Sequence, residues 1–154
     1  AGSTGIVLHN RGTGFVLEAA HPNCIAPNKR PLHTIIPGML VKDGRTEMPF
    51  GVMGGHYQAI GHAHVLTNVI DYGMDLQDAI DMTRVFPDVL GESESVMIES
   101  GLPPEIRAGL TRLGHRLAPS PNPIGGGQAI RINWGQGVLS GASDPRKDGM
   151  AVGY

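Results

Sequence analysis

Apolar and polar positions along this chain of 154 residues follow two different periods, and the switches between them mark out its elements. Gly5–His9 is a short unbroken apolar run that predicts a buried strand, with a turn over Asn10–Gly14 after it. Phe15-Val16-Leu17 reads as a further short strand or as a loop anchor. From His21 to Pro31 the chain is a loop in which Pro22, Pro27 and Pro31 each restrict the residue before them. Ile36–Val41 and Thr46–Val52 predict the two strands of a hairpin, and Lys42–Arg45 its turn.

Met53-Gly54-Gly55-His56 then leads into a helix of roughly four turns. Its apolar stripe is Ile60, Val65, Val69 and Ile70 with the small Ala59 and Ala63, and Gly73 caps its end. A shorter helix starts near Asp75, carries Leu76, Ala79 and Ile80, and ends before Pro87. Val96–Glu99 predicts a strand. Pro103-Pro104-Glu105 opens a third helix with Ile106, Leu110 and Leu113, closed by Gly114. Two strands, Gln128–Asn133 and Gly137–Ser140, joined at Trp134-Gly135-Gln136, complete the pattern. The order implies an α+β fold, with local hairpins in a largely antiparallel sheet covered by helices. Regular βαβ alternation is missing, which argues against a dinucleotide fold.

Composition narrows the classes. With 40% hydrophobic and 17% charged residues the chain is globular, and its length suits one domain, 1–154. A net charge of −2 provides no broad positive field, so no nucleic-acid partner is expected. Apolar stretches such as Thr34–Val41 are too short for a membrane span. Cys24 stands alone, which excludes an intrachain disulfide and Cys₂-type zinc sites and leaves it as a small packed residue. The compartment stays open between cytoplasm and periplasm or exterior. The 23 glycines and 12 prolines are spread along the chain and predict many sharp turns. Ala1–Gly5 has neither an initiator Met nor a signal-peptide pattern, so a processed or truncated start is expected.

Candidate chemistry centres on Gly54-Gly55. A diglycine between strand and helix lets backbone N–H groups approach a ligand, and the helix start adds positive partial charge, which together can stabilise an oxyanion. From the local pattern alone, a tight turn is the default reading. Gly125-Gly126-Gly127 lacks the Lys-Ser/Thr and helix start of a phosphate loop, so a flexible connection or a close approach to a partner chain is expected. The seven histidines form no HExxH, and His62 and His64 point apart on a helix, so neither a metal nor a cofactor is expected. Arg11, His33 and Thr34 stand in turns beside predicted strands and suit a carboxylate or acyl group, although Arg11 can equally pair with any of 14 acidic residues. Arg84 and the polar turn Asp144, Arg146, Lys147 and Asp148 suit holding a loop better than chemistry. No GxSxG, SxxK or Cys/His nucleophile pattern occurs.

Together these segments resemble the γ-glutamyltransferase family. The matching pieces begin with Gly5–Arg11, Pro27–Pro31, Ile35-Ile36-Pro37 and Val41–Gly44. Gly51–Gly55, Asp71-Tyr72-Gly73, Thr83–Phe86, Gly114-His115, Gly141–Arg146 and the terminal Gly153-Tyr154 follow in the family's order. The resemblance implies an N-terminal-nucleophile hydrolase αββα sandwich, here partial, formed by a precursor that cuts itself at a threonine. This chain would be the C-terminal portion of the small subunit. Its partners would be the large subunit and the N-terminal small-subunit segment from the same precursor, and its substrate a small-molecule or peptide amide. The new N-terminal Thr, with its α-amine as base, is the nucleophile and falls upstream of Ala1; Thr4 does not take its place. Carried over by position, Gly54 and Gly55 match the oxyanion-hole pair, and His33 and Thr34 match two serines that hold a substrate α-carboxylate. Arg11 and Gly14 match a Gln and an Asp that bind the α-amine. A cation at Arg11 with nothing at Gly14 suits a carboxylate-bearing acyl group, as in cephalosporin- or glutaryl-acylase-like or poly-γ-glutamate-processing members. A catalytically silent homologue is the remaining alternative.

Overall fold

The computed structural model describes residues 2–87 and 94–153. Residue contacts divide the chain into two compact units, Ala1–Ile35 and Ile36–Tyr154. The first is irregular backbone with 3-10 turns at Gly2–Thr4 and Arg11–Gly14. The predicted strand at Gly5–His9 is not formed, and Val7 and Leu8 are 92% and 76% exposed. An apolar run becomes a strand only where a neighbour takes up its N–H and C=O groups. Among the described residues no strand pairs with it. Phe15–Leu17 proves to be a loop anchor. Val16 makes a single parallel bridge to Cys24, its N–H donating to Asn23 O at 3.1 Å and its carbonyl accepting from Ile25 N–H at 3.0 Å.

The second unit has the α+β character expected. Its elements are β1 (Gly38–Lys42), β2 (Arg45–Met53), α1 (Gln58–Ile70), α2 (Leu76–Asp81), β3 (Val85–Pro87), β4 (Ser95–Ile98), α3 (Pro104–Arg112), β5 (Arg116–Pro119), β6 (Gly126–Asn133) and β7 (Val138–Ser143). One sheet has the order β1-β2-β6-β7 and is antiparallel throughout. The other, β3-β4-β5, pairs β4 with β5 in parallel, so it departs from the antiparallel expectation.

Alternation along β2 sends Met48, Phe50 and Val52 to one face, where they are buried with Ala129 and Ala142 of the adjoining strands. Helices α1 and α2 close this face with Val65, Val69, Leu76, Ala79 and Ile80. Each large apolar side chain buried there contributes about 1.5–3 kcal/mol relative to exposure. The inward stripe of α1 is rotated from the predicted one: Gly61, Val65, Asn68 and Val69 are buried, while Ile70 is exposed. Close packing causes the rotation. A Cβ on Gly61 would stand 2.6 Å from Val52 Cγ1, so only glycine lets the helix lie on β2 at this height. Asn68 Nδ2 donates to Ala79 O at 3.3 Å and ties α1 to α2, whose first turn is capped by Asp75. At the far end of the sheet, Trp134 Nε1 donates to Thr46 O at 2.7 Å and Arg45 lies over the indole at 4.4 Å.

Four charged side chains lock the two sheets' segments together. Arg84 and Asp144 pair at 2.6 Å and are 2% and 0% exposed. Arg84 also donates to Ile124 O at 2.8 Å and Ile80 O at 3.0 Å. Arg146 pairs with Glu99 at 2.7 Å and with Asp144 at 3.2 Å, and donates to Ile80, Asp81 and Met82 carbonyls. Burial alone would raise the Asp144 pKa. The Gly127 and Arg146 N–H groups and the Arg84 charge outweigh it and hold the carboxyl below its ordinary range. Removing one partner strands a buried charge, which costs about 3–5 kcal/mol. Arg84→Met in the full-length protein should therefore lower the unfolding free energy by an amount in that range, seen as a lower denaturant midpoint. An unchanged midpoint would show that the pair does not stabilise the fold.

Candidate active site

Strand β2 ends at Met53, and the chain turns into α1 through Gly54, at φ 136°, and Gly55, at φ 58°. Both values lie where side-chain-bearing residues are strained, so the turn requires glycine. Both residues are exposed, and among the described residues neither N–H donates to another atom of the chain. A single 3-10 turn, Gly55–Tyr57, joins the diglycine to α1, with Tyr57 N–H donating to Gly54 O at 3.1 Å. Tyr57 pins the turn from below. It is buried, and its ring meets Phe86 edge-on at 5.3 Å. Burial pushes its pKa up to about 12, although Arg84, 5.9 Å from the ring, acts in the opposite sense. The hydroxyl therefore stays protonated near neutral pH.

The triglycine meets the diglycine within the same chain, where a flexible connection or an approach to a partner chain was expected. Gly126 and Gly127 open β6 and pair with Met53 and Val52. Gly125, at φ +67°, lies so close that a Cβ on it would be 2.6 Å from Met53 O, and a Cβ on Gly54 would be 3.0 Å from Gly125 Cα. The charged cluster grips this segment from behind. Asp144 accepts from Gly127 N–H at 2.6 Å, and Glu99 accepts from Ile124 N–H at 2.9 Å. Arg84, Asp144 and Arg146 thus hold a loop, in keeping with their sequence pattern. Glu99 and Tyr57 were not among the candidates. Their only signals were a carboxylate closing an apolar strand and an aromatic just after the diglycine. A cavity of about 340 Å³ opens here, walled in part by Met53, Gly54, Tyr57, Phe86, Pro123 and Gly125.

Arg11 and Thr34 are brought together in the first unit, Arg11 Nη1 donating to Thr34 Oγ1. His33 beside them is exposed. A Cβ on Gly14 would sit 3.6 Å from Leu32 O, an ordinary contact, so a side chain could stand there. Gly54 and Gly55 belong to the second unit. Burial, with Arg84 and Arg146 adding to it, lowers the pKa of His64, and burial lowers that of His62, so both favour the neutral form. Among the described residues no three His, Cys, Asp or Glu side chains gather as a metal site, and no helix is long and apolar enough to cross a membrane.

The model of the gamma-glutamyltranspeptidase family matches residues 1–154, and the chain belongs to that family. It is 38% identical over 157 residues to the oxamate amidohydrolase proenzyme of Klebsiella pneumoniae, covering 98% of this chain and 29% of that protein. Among solved structures it resembles cephalosporin acylase from Bacillus halodurans at 40% identity and a TM-score of 0.79, covering 96% of this chain and 27% of that one. It also resembles gamma-glutamyltranspeptidase from Pseudomonas nitroreducens in complex with L-DON, at 26% identity and a TM-score of 0.80, covering 100% of this chain and 84% of that one. The chain spans 30% or less of the length of the curated relatives it matches.

The close fit of Gly125 against β2 generates a prediction. Gly125→Ala should force Met53 and Tyr57 apart and cost about 1–3 kcal/mol of stability. Gly109→Ala, in open space on α3, should raise stability by about 0.5–1 kcal/mol. Denaturant unfolding of the two variants in the full-length protein measures both, and equal effects would refute the close fit.

Proposed function

We propose that this chain is the C-terminal part of the small subunit of an N-terminal-nucleophile αββα enzyme, one that transfers or hydrolyses the acyl group of a γ-glutamyl or glutaryl-type amide. The observation that carries this reading is the exposed diglycine with two positive φ angles at a strand-to-helix junction, in a chain of the gamma-glutamyltranspeptidase family. The match to most of one chain of a family enzyme supports the small-subunit assignment. A Thr outside residues 1–154 adds its hydroxyl oxygen to the substrate carbonyl, while its own α-amine takes the proton. The carbonyl oxygen becomes an oxyanion, and the Gly54 and Gly55 N–H groups receive it, each worth about 3–4 kcal/mol. Collapse then expels the amine, which carries away the proton, and leaves an acyl-enzyme for water or an acceptor amine. The large subunit and the N-terminal segment of the small subunit complete the site.

Arg11, His33 and Thr34 line the acyl pocket in this reading. The Arg11–Thr34 contact favours one version of it, in which the acyl group ends in a carboxylate. An ammonium group would meet a guanidinium there and be repelled. The similarity to an oxamate amidohydrolase, named for an amide that carries a carboxylate, points the same way.

Two measurements on the full-length, processed enzyme test these assignments. Gly54→Ala, whose Cβ would press on Gly125 and Tyr57 and so turn the Gly54 N–H aside, should lower kcat about 100- to 1,000-fold with a smaller change in KM, while circular dichroism shows the rest of the fold retained; an undiminished kcat would refute the oxyanion role. Arg11→Gln combined with Gly14→Asp should shift preference from glutaryl toward γ-glutamyl anilides about tenfold or more. An unmoved preference would remove these residues from the acyl pocket.

A further inference from the structure

Three glycines from three parts of the second unit close around one aromatic ring. Tyr57, 1% exposed, stands in the turn that joins the diglycine to α1. A Cβ on Gly54 would lie 3.2 Å from Tyr57 Cβ and 3.4 Å from Cδ1. One on Gly61 of α1 would lie 2.7 Å from Cε1, and one on Gly125, just before β6, 2.7 Å from Cδ1. Bare backbone therefore lies against the ring where side chains would otherwise stand. Phe86 meets it edge-on at 5.3 Å, and Arg84 lies 5.9 Å from its centre. The ring is thus a spacer between the turn, α1 and the start of β6. Its hydroxyl is buried with no hydrogen-bond partner among the described residues, and it stays protonated. Leaving a buried hydroxyl unbonded costs stability, so the packing here uses the bulk of the ring.

The two sides of this spacer differ in stiffness. On one side Gly125 follows Ile124, whose N–H and carbonyl are taken by Glu99 and Arg84, and Gly127 beyond it donates to Asp144. On the other side Gly54 is exposed, lies at φ 136°, and accepts from Tyr57 N–H at 3.1 Å. If the ring were thinner, the turn would move into the space and the start of β6 would stay. We propose that Tyr57 is a positioning residue, its ring setting the direction of the Gly54 and Gly55 N–H groups. The proposal rests on the oxyanion reading of that pair. A donor serves an oxyanion only within about 2.7–3.1 Å, so a small shift of the turn is felt in the rate. The Tyr57 hydroxyl takes no part in proton transfer.

The test compares variants of the full-length, processed enzyme, with the folded fraction of each measured by circular dichroism. Tyr57→Leu thins the spacer and should lower kcat about 10- to 100-fold with little change in KM, because the oxyanion forms only after substrate is bound. Tyr57→Phe, which restores the ring without the hydroxyl, should recover most of the rate. Tyr57→Met, a flexible filler, should fall between the two and replaces the leucine variant if that one does not fold. Because Tyr57 acts through the turn, adding Tyr57→Leu to Gly54→Ala should cost less than about twofold further. Full rate in the thinned variants beside a slow Gly54→Ala overturns the proposal, as do losses that multiply in the double variant. An equal loss in Tyr57→Phe and Tyr57→Leu, or a raised KM at unchanged kcat, overturns it too. Full rate in Gly54→Ala itself removes the oxyanion reading and the proposal with it.

Discussion

Arg84 and Asp144 meet at 2.6 Å where water does not reach, and the second unit is arranged around that contact. Two isolated charges in such a place would cost several kcal/mol each in lost hydration, so they persist only because nearly every donor and acceptor is used. Arg84 spends its guanidinium on Ile80, Ile124 and Asp144, and Asp144 spends its two oxygens on Arg84, Gly127, Arg146 and the Arg146 backbone. Arg146 and Glu99 extend the network to the ends of α2 and β4. Such a network has one arrangement that satisfies all its members, and every alternative strands a charge.

That single arrangement passes along the chain to the diglycine. The network fixes Ile124 and Gly127, which fixes Gly125 between them, and Gly125 abuts Met53 and Gly54. The exposed residues Gly54 and Gly55 are thereby carried on backbone braced from behind, although no side chain of their own holds them. Preorganisation of this kind is what a donor pair needs if it is to meet developing charge without moving. The charged residues thus act at a distance through packing, and the glycines act through having no side chain to obstruct it.

Much of this unit was legible in the sequence. The hairpin pattern of Ile36–Val41 and Thr46–Val52 found β1 and β2, and Asp75, Leu76, Ala79 and Ile80 placed α2 correctly. The phase of α1 was not legible, because Gly61 and Asn68 point inward for reasons that hydrophobicity does not rank: one permits close approach, the other bonds to Ala79. Strands β3 and β5 were missed since each is short and contains a proline, and their pairing with β4 is what makes them strands. Gly5–His9 failed the other way, being apolar with no described partner. For the candidate site, the need for glycine at 54 and 55 could be guessed from the turn. That Gly125 would back it, and that Glu99 would help hold Gly125's neighbours, depends on contacts between residues far apart in the chain, which periodicity does not encode.

Sequence separation has a consequence for the order of assembly. Arg84 waits for a partner sixty positions further on, and Gln77 and Ile80 for partners sixty-six further on. Closing loops of that length comes late and is slow relative to hairpin or helix formation. The hairpin of β1 with β2 and the helix α1 can therefore form first, with the diglycine already in the chain but not yet braced. Only when β7 and the Asp144–Arg146 turn fold back does the brace close. Bracing of the turn is thus a late folding event, so a chain released from synthesis before that point would carry the glycines without the contacts that hold their backbone.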